Sequence, residues 1–284
     1  MESLLIIDFS WLYNKYYYVA KYNTGFTDCE NLYADTARML EQFLTLIEKC
    51  YPKVKVVLAL DSPTSSLNNY KLYAGYKQNR DKESKKEVYK ELNSVLLRLK
   101  KSLNSRTFVF IKAKNYEADQ LIAYFVEKYH TKKKVLIFSG DKDLLQLTWY
   151  ENVFISDKFK NGKFIVKNDE EIFDKFKNNK GESFTRISEN KRDILKYRTL
   201  KGDTSDNLSS VFPRIKDKEI IEIIQNYWTS EEPLTDAVIK EIIHGMKVQN
   251  PALAEKLEEN KDIWLRNFKI MNLFDIEDLK VVKL

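Results

Sequence analysis

The chain has 284 residues, of which 32% are charged and 43% hydrophobic, and its formal net charge is +6. No apolar run approaches the length of a membrane span, so we expect a cytoplasmic protein with no membrane partner. With two histidines and two cysteines, the chain offers little for a His/Cys zinc site or for Ser-His-Asp chemistry, whereas its basic balance permits a polyanionic partner.

The first half of the chain alternates short apolar runs with segments in which apolar residues recur at helical spacing. In chain order, the predicted strands are 4–8, 54–60, 107–111 and 135–139. Helices are predicted at 30–50, between the first two strands, and at 117–129, between the last two. This alternation predicts an α/β fold with a mostly parallel central sheet covered by helices.

The segment at about 62–106 interrupts this alternation, because it is too long for a simple crossover between strands. It begins directly after Asp61 and is rich in Lys, Arg and Tyr, with Lys71 near its start. A solvated charged helix is the plain interpretation. Its position after a strand end and its tyrosines favour a basic helical arch that contacts substrate, with cations for phosphates and rings for unpaired bases.

The second half predicts short strands at 153–156 and 163–167, and then helices from about residue 169. A loop between helices is predicted at 201–215. We therefore expect an α/β core in residues 1–168, which includes the arch, and a helical region in residues 169–284 packed on it.

Three of the four apolar runs in the predicted sheet end on a carboxylate. Asp8 and Asp61 end two of them, and Asp141 and Asp143 follow a third. Ligands of open parallel sheets bind at the carboxyl ends of the strands, so these acids are expected to converge. A dense acidic cluster needs cations to stay ionised, and oxygen ligands suit Mg²⁺ or Mn²⁺. The layout is typical of a metal-dependent phosphoryl-transfer enzyme.

Two further acidic motifs have a plain structural interpretation beside the functional one. Glu117 and Asp119 lie at a predicted helix start, where acids also complement the helix dipole. Asp203 and Asp206 lie in a stretch that also reads as an Asp/Asn-rich turn. Their order along the chain, after the strand-end acids, favours a shared site.

Taken together, these motifs resemble the 5′-nuclease (flap endonuclease) family, and within it the phage branch that includes the ribonuclease H of T-even-type phages. The resemblance covers nearly the whole chain, from Leu4 to about Leu279. The segments that carry it are Ile7-Asp8-Phe9-Ser10, Leu60-Asp61, Tyr76-Lys77-Gln78-Asn79-Arg80, Tyr116-Glu117-Ala118-Asp119, Ser139-Gly140-Asp141-Lys142-Asp143, and Leu200-Lys201-Gly202-Asp203 through Asp206-Asn207.

The resemblance implies two Mg²⁺ ions, for which Mn²⁺ is expected to substitute. The implied ligands of the first ion are Asp8, Asp61, Glu117, Asp119 and Asp141. The implied ligands of a second, more weakly bound ion are Asp143, Asp203 and Asp206. The implied catalytic residues are Lys77, Arg80 and Asp141.

The resemblance also implies a nucleic-acid surface that includes a helix–three-turn–helix-like motif in the C-terminal part. The implied contact residues are Lys71, Tyr76, Lys77, Arg80, Lys201, Arg214 and Lys216. Among them, Lys77 and Arg80 are expected to neutralise the scissile phosphate, and Tyr76 to stack on an unpaired base. Arg214 and Lys216 are expected to contact duplex phosphates.

The implied function is a Mg²⁺-dependent 5′-3′ exonuclease and flap endonuclease that removes RNA primers and 5′ flaps during lagging-strand replication. Its substrates would be DNA and RNA–DNA duplexes with a 5′ end or flap, in the host cytoplasm if the chain is phage-encoded. A single-strand-binding protein is a candidate replication partner.

Two alternatives remain open. One is a repair-type flap endonuclease with little RNA preference, and the other is a catalytically inactive DNA-binding relative. Gln120, where many family members carry a second Asp, and a hairpin at 209–216 without glycine support the inactive relative. The missing glycines also leave open whether a monovalent-cation site is retained.

Overall fold

The computed structural model describes residues 2–23, 29–174, 190–274, 276 and 279–284. By its internal contacts the chain divides into two compact units. The first comprises Met1–Ser65, Asp81–Asn168 and Ile276–Leu284, and the second comprises Ser66–Arg80 and Asp169–Asp275. This division differs from the predicted one in two segments, because 66–80 groups with the helical part and 276–284 groups with the α/β part.

A six-stranded sheet forms the centre of the first unit. The strands of the described chain are β1 (Glu2–Asp8), β2 (Lys55–Leu60), β3 (Phe108–Ala113), β4 (Lys133–Phe138), β5 (Val153–Ser156), β6 (Lys158–Lys160), β7 (Lys163–Ile165) and β8 (Val281–Lys283). The order across the sheet is β5-β4-β1-β2-β3-β8, and β6 and β7 form a separate hairpin. Every pairing in the sheet is parallel except β3 with β8, so the mostly parallel sheet is confirmed.

Helices account for most of the remaining described residues. They are α1 (Phe9–Asn23), α2 (Cys29–Cys50), α3 (Leu67–Leu72), α4 (Lys82–Tyr89), α5 (Leu92–Ser102), α6 (Ala118–Tyr129), α7 (Asp169–Asp174), α8 (Asp193–Lys201), α9 (Asp217–Asn226), α10 (Asp236–Gln249), α11 (Pro251–Glu259) and α12 (Lys261–Met271). Helices α1, α2 and α4 to α6 belong to the first unit, and the others belong to the second. No helix among the described residues is long and apolar enough to cross a membrane.

The core of the first unit explains the predicted strands and also includes part of the segment predicted as an arch. β1 lies between β2 and β4, and its last residues are buried, which is why this strand reads as a continuous apolar run. Helix α5 also buries Val95, Leu96 and Leu99 in this core. The second half of the 62–106 segment therefore contributes packing as well as charge.

The second unit is built around buried aromatic residues. The rings of Trp228 and Trp264 meet edge to face, with centroids 5.3 Å apart and an interplanar angle of 78°. Helices α8 and α12 pack together, and α9 follows α8 through a loop that contains a 3₁₀ helix, Thr204–Asp206. The predicted loop between helices at 201–215 is thus present, and its centre is one short turn of helix.

Candidate functional site

Asp8 ends β1 and is held by both of its oxygens. Oδ1 accepts a hydrogen bond from the backbone N–H of Trp11 at 2.9 Å, and Oδ2 accepts one from the Ser139 hydroxyl at 2.8 Å. The same hydroxyl oxygen of Ser139 accepts from the backbone N–H of Asp141 at 3.1 Å. Because β1 and β4 are neighbours, Ser139 joins the acids at their ends. The side chain of Asp8 is only 5% exposed.

Asp61 follows β2 and connects the sheet to helix α6. Its Oδ1 accepts a hydrogen bond from the backbone N–H of Ala118 at 2.8 Å, at the start of that helix. Its own backbone N–H donates to the Ser10 hydroxyl at 2.9 Å. The free N–H groups of a helix start attract a carboxylate, so Asp61 fixes where α6 begins.

The negative charges of Asp61 and Asp141 affect the pKa of the buried Asp8 carboxyl. Burial raises the pKa of Asp8, the Trp11 N–H lowers it, and the charges of Asp141 and Asp61 raise it further, to about 7. A carboxyl with this pKa is only partly ionised at neutral pH unless positive charge is added. The strand-end acids of the first unit therefore form a cluster that favours cations.

The start of α6 carries the predicted residues Glu117 and Asp119. Glu117 is buried, and its backbone N–H donates to the side-chain carbonyl of Gln120 at 3.0 Å. Asp119 accepts from the backbone N–H of Gln120 at 2.6 Å. Gln120 thus satisfies a helix-start N–H in the manner of a capping residue.

Asp141 and Asp143 lie in the turn after β4. The backbone N–H of Asp143 donates to Asp141 Oδ1 at 2.9 Å, and Asp143 begins a 3₁₀ helix, Asp143–Trp149. Gly140 lies against the indole of Trp11, because a Cβ at this position would come within 2.7 Å of Trp11 Nε1. The glycine in this motif therefore lets the turn pass close to α1.

A divalent cation fits the chemistry of this cluster. The donors are carboxylate oxygens, which Mg²⁺ and Mn²⁺ prefer, and burial together with the charges of Asp141 and Asp61 raises the pKa of Asp8. Within the described residues, no three acidic, histidine or cysteine side chains stand in ligating positions around one point. Instead, each acid at the strand ends is held by hydrogen bonds to the protein.

In the second unit, Asp206 gathers three of the predicted nucleic-acid contacts. Its carboxylate accepts from the Tyr76 hydroxyl at 3.1 Å, lies 3.7 Å from Lys77 Nζ, and forms an ion pair with Arg80. The backbone N–H of Lys77 also donates to the Asp206 carbonyl at 2.9 Å. Tyr76 is buried, so in this conformation its ring presents no face to an unpaired base. The nearby ring of Tyr70 is 38% exposed.

Asp203 is neutralised by its own neighbours. Arg198 donates to Oδ2 at 2.7 Å, and both the backbone N–H and the hydroxyl of Ser205 donate to Oδ1. Burial alone would raise the pKa of Asp203, but the hydrogen bonds from Ser205 and the charge of Arg198 outweigh it and hold the pKa below its usual value. Asp203 is therefore ionised without an added cation.

The other predicted basic contacts are exposed in the second unit. Lys71 lies on α3, and Lys201 ends α8, where its ammonium pairs with Asp217 at 2.7 Å. Arg214 has a positive φ of 62°, and Arg214 and Lys216 lie in the segment just before α9.

Sequence reasoning missed the polar residues that support the acidic cluster. Ser10 and Ser139 were visible only as parts of motifs, although a hydroxyl beside a strand-end Asp is a signal for such support. Asn14 and Tyr89 gave no signal. The Asn14 amide donates to the Ser10 carbonyl at 2.7 Å and to the Tyr89 hydroxyl at 2.6 Å. Burial and the charge of Asp61 raise the pKa of Tyr89.

Comparisons with known proteins agree with the motifs. A sequence model of the 5′-3′ exonuclease N-terminal resolvase-like domain matches residues 3–177. The chain is 30% identical to a 5′-3′ exonuclease of Aquifex aeolicus, over 82% of this chain and 73% of the relative. It is 25% identical to a 5′-3′ exonuclease of Mycoplasmopsis pulmonis, over 99% of this chain and 84% of the relative.

Solved structures share the fold. The D15 protein of phage T5, co-crystallised with metal ions, has a TM-score of 0.61 at 16% identity, and the match covers 96% of this chain and 90% of that chain. A complex of the T5 D15 flap endonuclease with DNA and metal ions has a TM-score of 0.62 at 18% identity, with the same coverage. The likeness spans both units.

Proposed function

Because this chain belongs to the 5′-3′ exonuclease family, we propose that it is a Mg²⁺-dependent 5′ nuclease that removes RNA primers and 5′ flaps during lagging-strand replication. The observation that carries the proposal is the cluster of strand-end carboxylates, whose charges act on one another. The substrates would be DNA and RNA–DNA duplexes with a free 5′ end or flap, met in the cytoplasm. A single-strand-binding protein is a candidate partner.

Asp8, Asp61 and Asp141 are the residues that would hold Mg²⁺ in the first unit, with Glu117 and Asp119 as further candidates. When bound, Mg²⁺ would supply charge neutralisation at the scissile phosphate and activation of the attacking water. Ser139 and the backbone N–H of Trp11 hold Asp8 in place, so the carboxylate does not have to be ordered at the moment of binding. For Asp143, Asp203 and Asp206, a second-metal role stays a prediction from the motif resemblance.

Lys77 and Arg80 are the residues that would contact the reacting phosphate. Both cations already face a carboxylate oxygen of Asp206, so each is oriented toward an anionic partner before substrate binds. A phosphodiester would compete with Asp206 for these donors. Hydrogen bonds from cations that strengthen as charge develops on the phosphate lower the barrier more than they strengthen binding.

The test is cleavage of 5′-labelled DNA-flap, nicked and RNA-primed duplexes by the full chain, with Mg²⁺, with Mn²⁺ and with EDTA. We expect cleavage of the flap and RNA-primed duplexes with either metal and none with EDTA. Asp141→Asn should remove most of the cleavage, while Asp35→Asn, which changes an acid paired with Arg38 on α2, should leave it intact.

Each outcome separates the alternatives. Cleavage of DNA flaps with no activity on RNA-primed duplexes would favour a repair-type flap endonuclease. Absence of metal-dependent cleavage on every substrate would refute the proposal and favour an inactive DNA-binding relative.

A further inference from the structure

The loop between α8 and α9 is closed on itself without a run of glycines. Asp203 and Leu208 exchange two backbone hydrogen bonds, each 2.8 Å long, across the turn. Gly202 has a φ of +75°, and a Cβ there would come within 2.5 Å of the Ser209 backbone. The start of the loop therefore lies close to Ser209, near the middle of the loop, at this glycine.

Asn267 on α12 ties the last turn of α8 to the middle of this loop. Its Nδ2 donates one hydrogen bond to the carbonyl of Thr199 at 3.0 Å and another to the carbonyl of Ser209 at 2.8 Å. Thr199 lies in the last turn of α8, and Ser209 directly follows the turn that the Asp203–Leu208 bridge closes. An amide nitrogen has two hydrogens, and here both are used, one by a carbonyl of the helix and one by a carbonyl of the loop.

The other half of the Asn267 amide is also fully engaged. Its Oδ1 accepts from Arg266 Nη2 at 2.7 Å and from Arg266 Nε at 3.2 Å. Arg266 Nη2 also donates to the Ser209 hydroxyl at 3.3 Å, and its guanidinium lies 4.3 Å from the centroid of the Tyr73 ring. Asn267 itself is 0% exposed. A buried amide satisfied on both sides holds its partners firmly, because any displacement leaves polar groups unpaired.

The position of Ser209 fixes the start of the segment that carries the basic residues. The backbone N–H of Val211 donates to the Leu200 carbonyl at 3.0 Å, and Val211, Phe212 and Ile215 are buried. The exposed side chains of Arg214 and Lys216 alternate with these anchors. Movement at Ser209 would therefore be passed to both cations.

We propose that Asn267 is a positioning residue for duplex binding, which fixes the α8–α9 loop so that Arg214 and Lys216 contact duplex phosphates together. This inference rests on the proposed function only in that it assumes a duplex ligand. Asn267 would touch no nucleic acid, and its two hydrogen bonds would hold Ser209, in a loop that lacks hairpin glycines, to the last turn of α8. The rival account is that Asn267 serves only the stability of the helical unit.

The experiment measures the dissociation constant for a nicked DNA duplex by fluorescence anisotropy in EDTA, across a series of KCl concentrations. The variants are Asn267→Ala and Asn267→Asp, each alone and combined with Arg214→Ala/Lys216→Ala. Asn267→Asp keeps the size and the acceptor for Arg266 but removes both donors. Asn260→Ala is the matched control, because the Asn260 side-chain amide donates to the Lys256 carbonyl of the preceding helix, away from the α8–α9 loop. Thermal unfolding is followed for every variant.

We expect either Asn267 change to weaken duplex binding about tenfold and to reduce the salt slope by roughly two phosphate contacts. In the Arg214→Ala/Lys216→Ala background the same change should have almost no further effect, since the contacts that it positions are gone. Asn260→Ala should bind as the unchanged chain does.

Three results would overturn the inference. One is a lower unfolding temperature with an unchanged dissociation constant and salt slope. Another is full additivity of the Asn267 and Arg214/Lys216 effects. The third is loss of the folded state in both Asn267 variants, which would assign the amide to the whole fold. This experiment measures binding and not cleavage. A chain that binds duplex but does not cleave it would therefore refute the nuclease proposal, while the binding measurements would still test the role of Asn267.

Discussion

The two units treat their carboxylates in opposite ways. In the first unit, Asp8, Asp61 and Asp141 lie at strand ends, held by backbone N–H groups and a serine hydroxyl. Burial and the negative charges of Asp141 and Asp61 raise the pKa of Asp8. In the second unit, Asp203 pairs with Arg198 and Asp206 pairs with Lys77 and Arg80. The acids of the second unit are thus paired with cations of the chain itself, whereas the buried strand-end acids of the first unit form a cluster that favours cations from solution.

The largest expected effect comes from removing a first-unit charge. Asp141→Asn keeps the size of the side chain and loses the charge that would bind Mg²⁺. We expect the single-turnover cleavage rate to fall by about 10²- to 10³-fold, with duplex affinity in EDTA unchanged because phosphate contacts lie elsewhere. Normal turnover would show that this acid is not part of the metal site.

The second prediction uses the pKa of Asp8. Its ordinary value is 3.8 and its value in the folded protein is about 7. Between these pH values the folded protein holds a proton that the unfolded chain has lost, so unfolding releases it and rising pH favours the unfolded state. In EDTA, stability should therefore fall from about pH 4 to pH 7, by roughly 2 to 4 kcal/mol relative to Asp8→Asn. Urea unfolding at several pH values measures this difference.

Added Mg²⁺ sharpens that prediction. The cation should restore the stability of the unchanged chain at pH 7 and above and should have little effect on Asp8→Asn. Equal pH dependence of the two proteins in EDTA would contradict the electrostatic account of the cluster.

Substitution of the basic residues of the second unit should lower the cleavage rate less than Asp141→Asn does. Lys77→Ala and Arg80→Ala each remove a cation expected at the reacting phosphate, so the single-turnover rate should fall roughly ten- to a hundredfold, and more than duplex affinity falls. Lys247→Ala is the control, because its ammonium pairs with Glu258 on the same unit's surface. Equal and small effects of all three substitutions would make these residues ordinary surface charges.

The smallest effect is expected at Asp203. Its lowered pKa means that its stabilising contribution is fully present above about pH 4 and is lost as the pH falls through the lower value of the folded protein. Asp203→Asn should therefore cost about 1 to 2 kcal/mol at pH 7 and make stability less sensitive to acid. Urea unfolding at pH 7 and pH 3 checks this.

If Asp203 also binds the second metal, the substitution should raise the Mg²⁺ concentration needed for half-maximal cleavage.

Much of the fold could be predicted because its signals are local. The residues before Asp8 and Asp61 form continuous apolar runs, which a buried parallel strand requires, and the apolar spacing of α2 and α6 is helical. β8 was missed because Val281 and Val282 form too short a run between lysines to stand out. Only the edge of β3, distant in sequence, makes that segment a strand.

The candidate site was predicted in part for the same reason. The positions of Asp8, Asp61 and Asp141 at one edge of the sheet could be predicted from the strand ends and the sheet topology alone. The ion pairs of Asp206 with Lys77 and Arg80 could not be found this way, because they join positions far apart in sequence. Nothing local to Asn267 indicated that its amide would bridge Thr199 and Ser209. Residues whose role is set by a distant partner need the folded structure.

The antiparallel pairing of β8 has a consequence for handling the protein. Val281 to Lys283 cover the outer side of β3, and the backbone N–H of Leu284 donates to the Phe110 carbonyl at 3.0 Å. Without these last residues, the unpaired N–H and carbonyl groups of β3 would form an open edge that can pair with another molecule. Removal of Val281–Leu284 should therefore make the protein prone to self-association and poorly soluble while its acidic cluster is still complete.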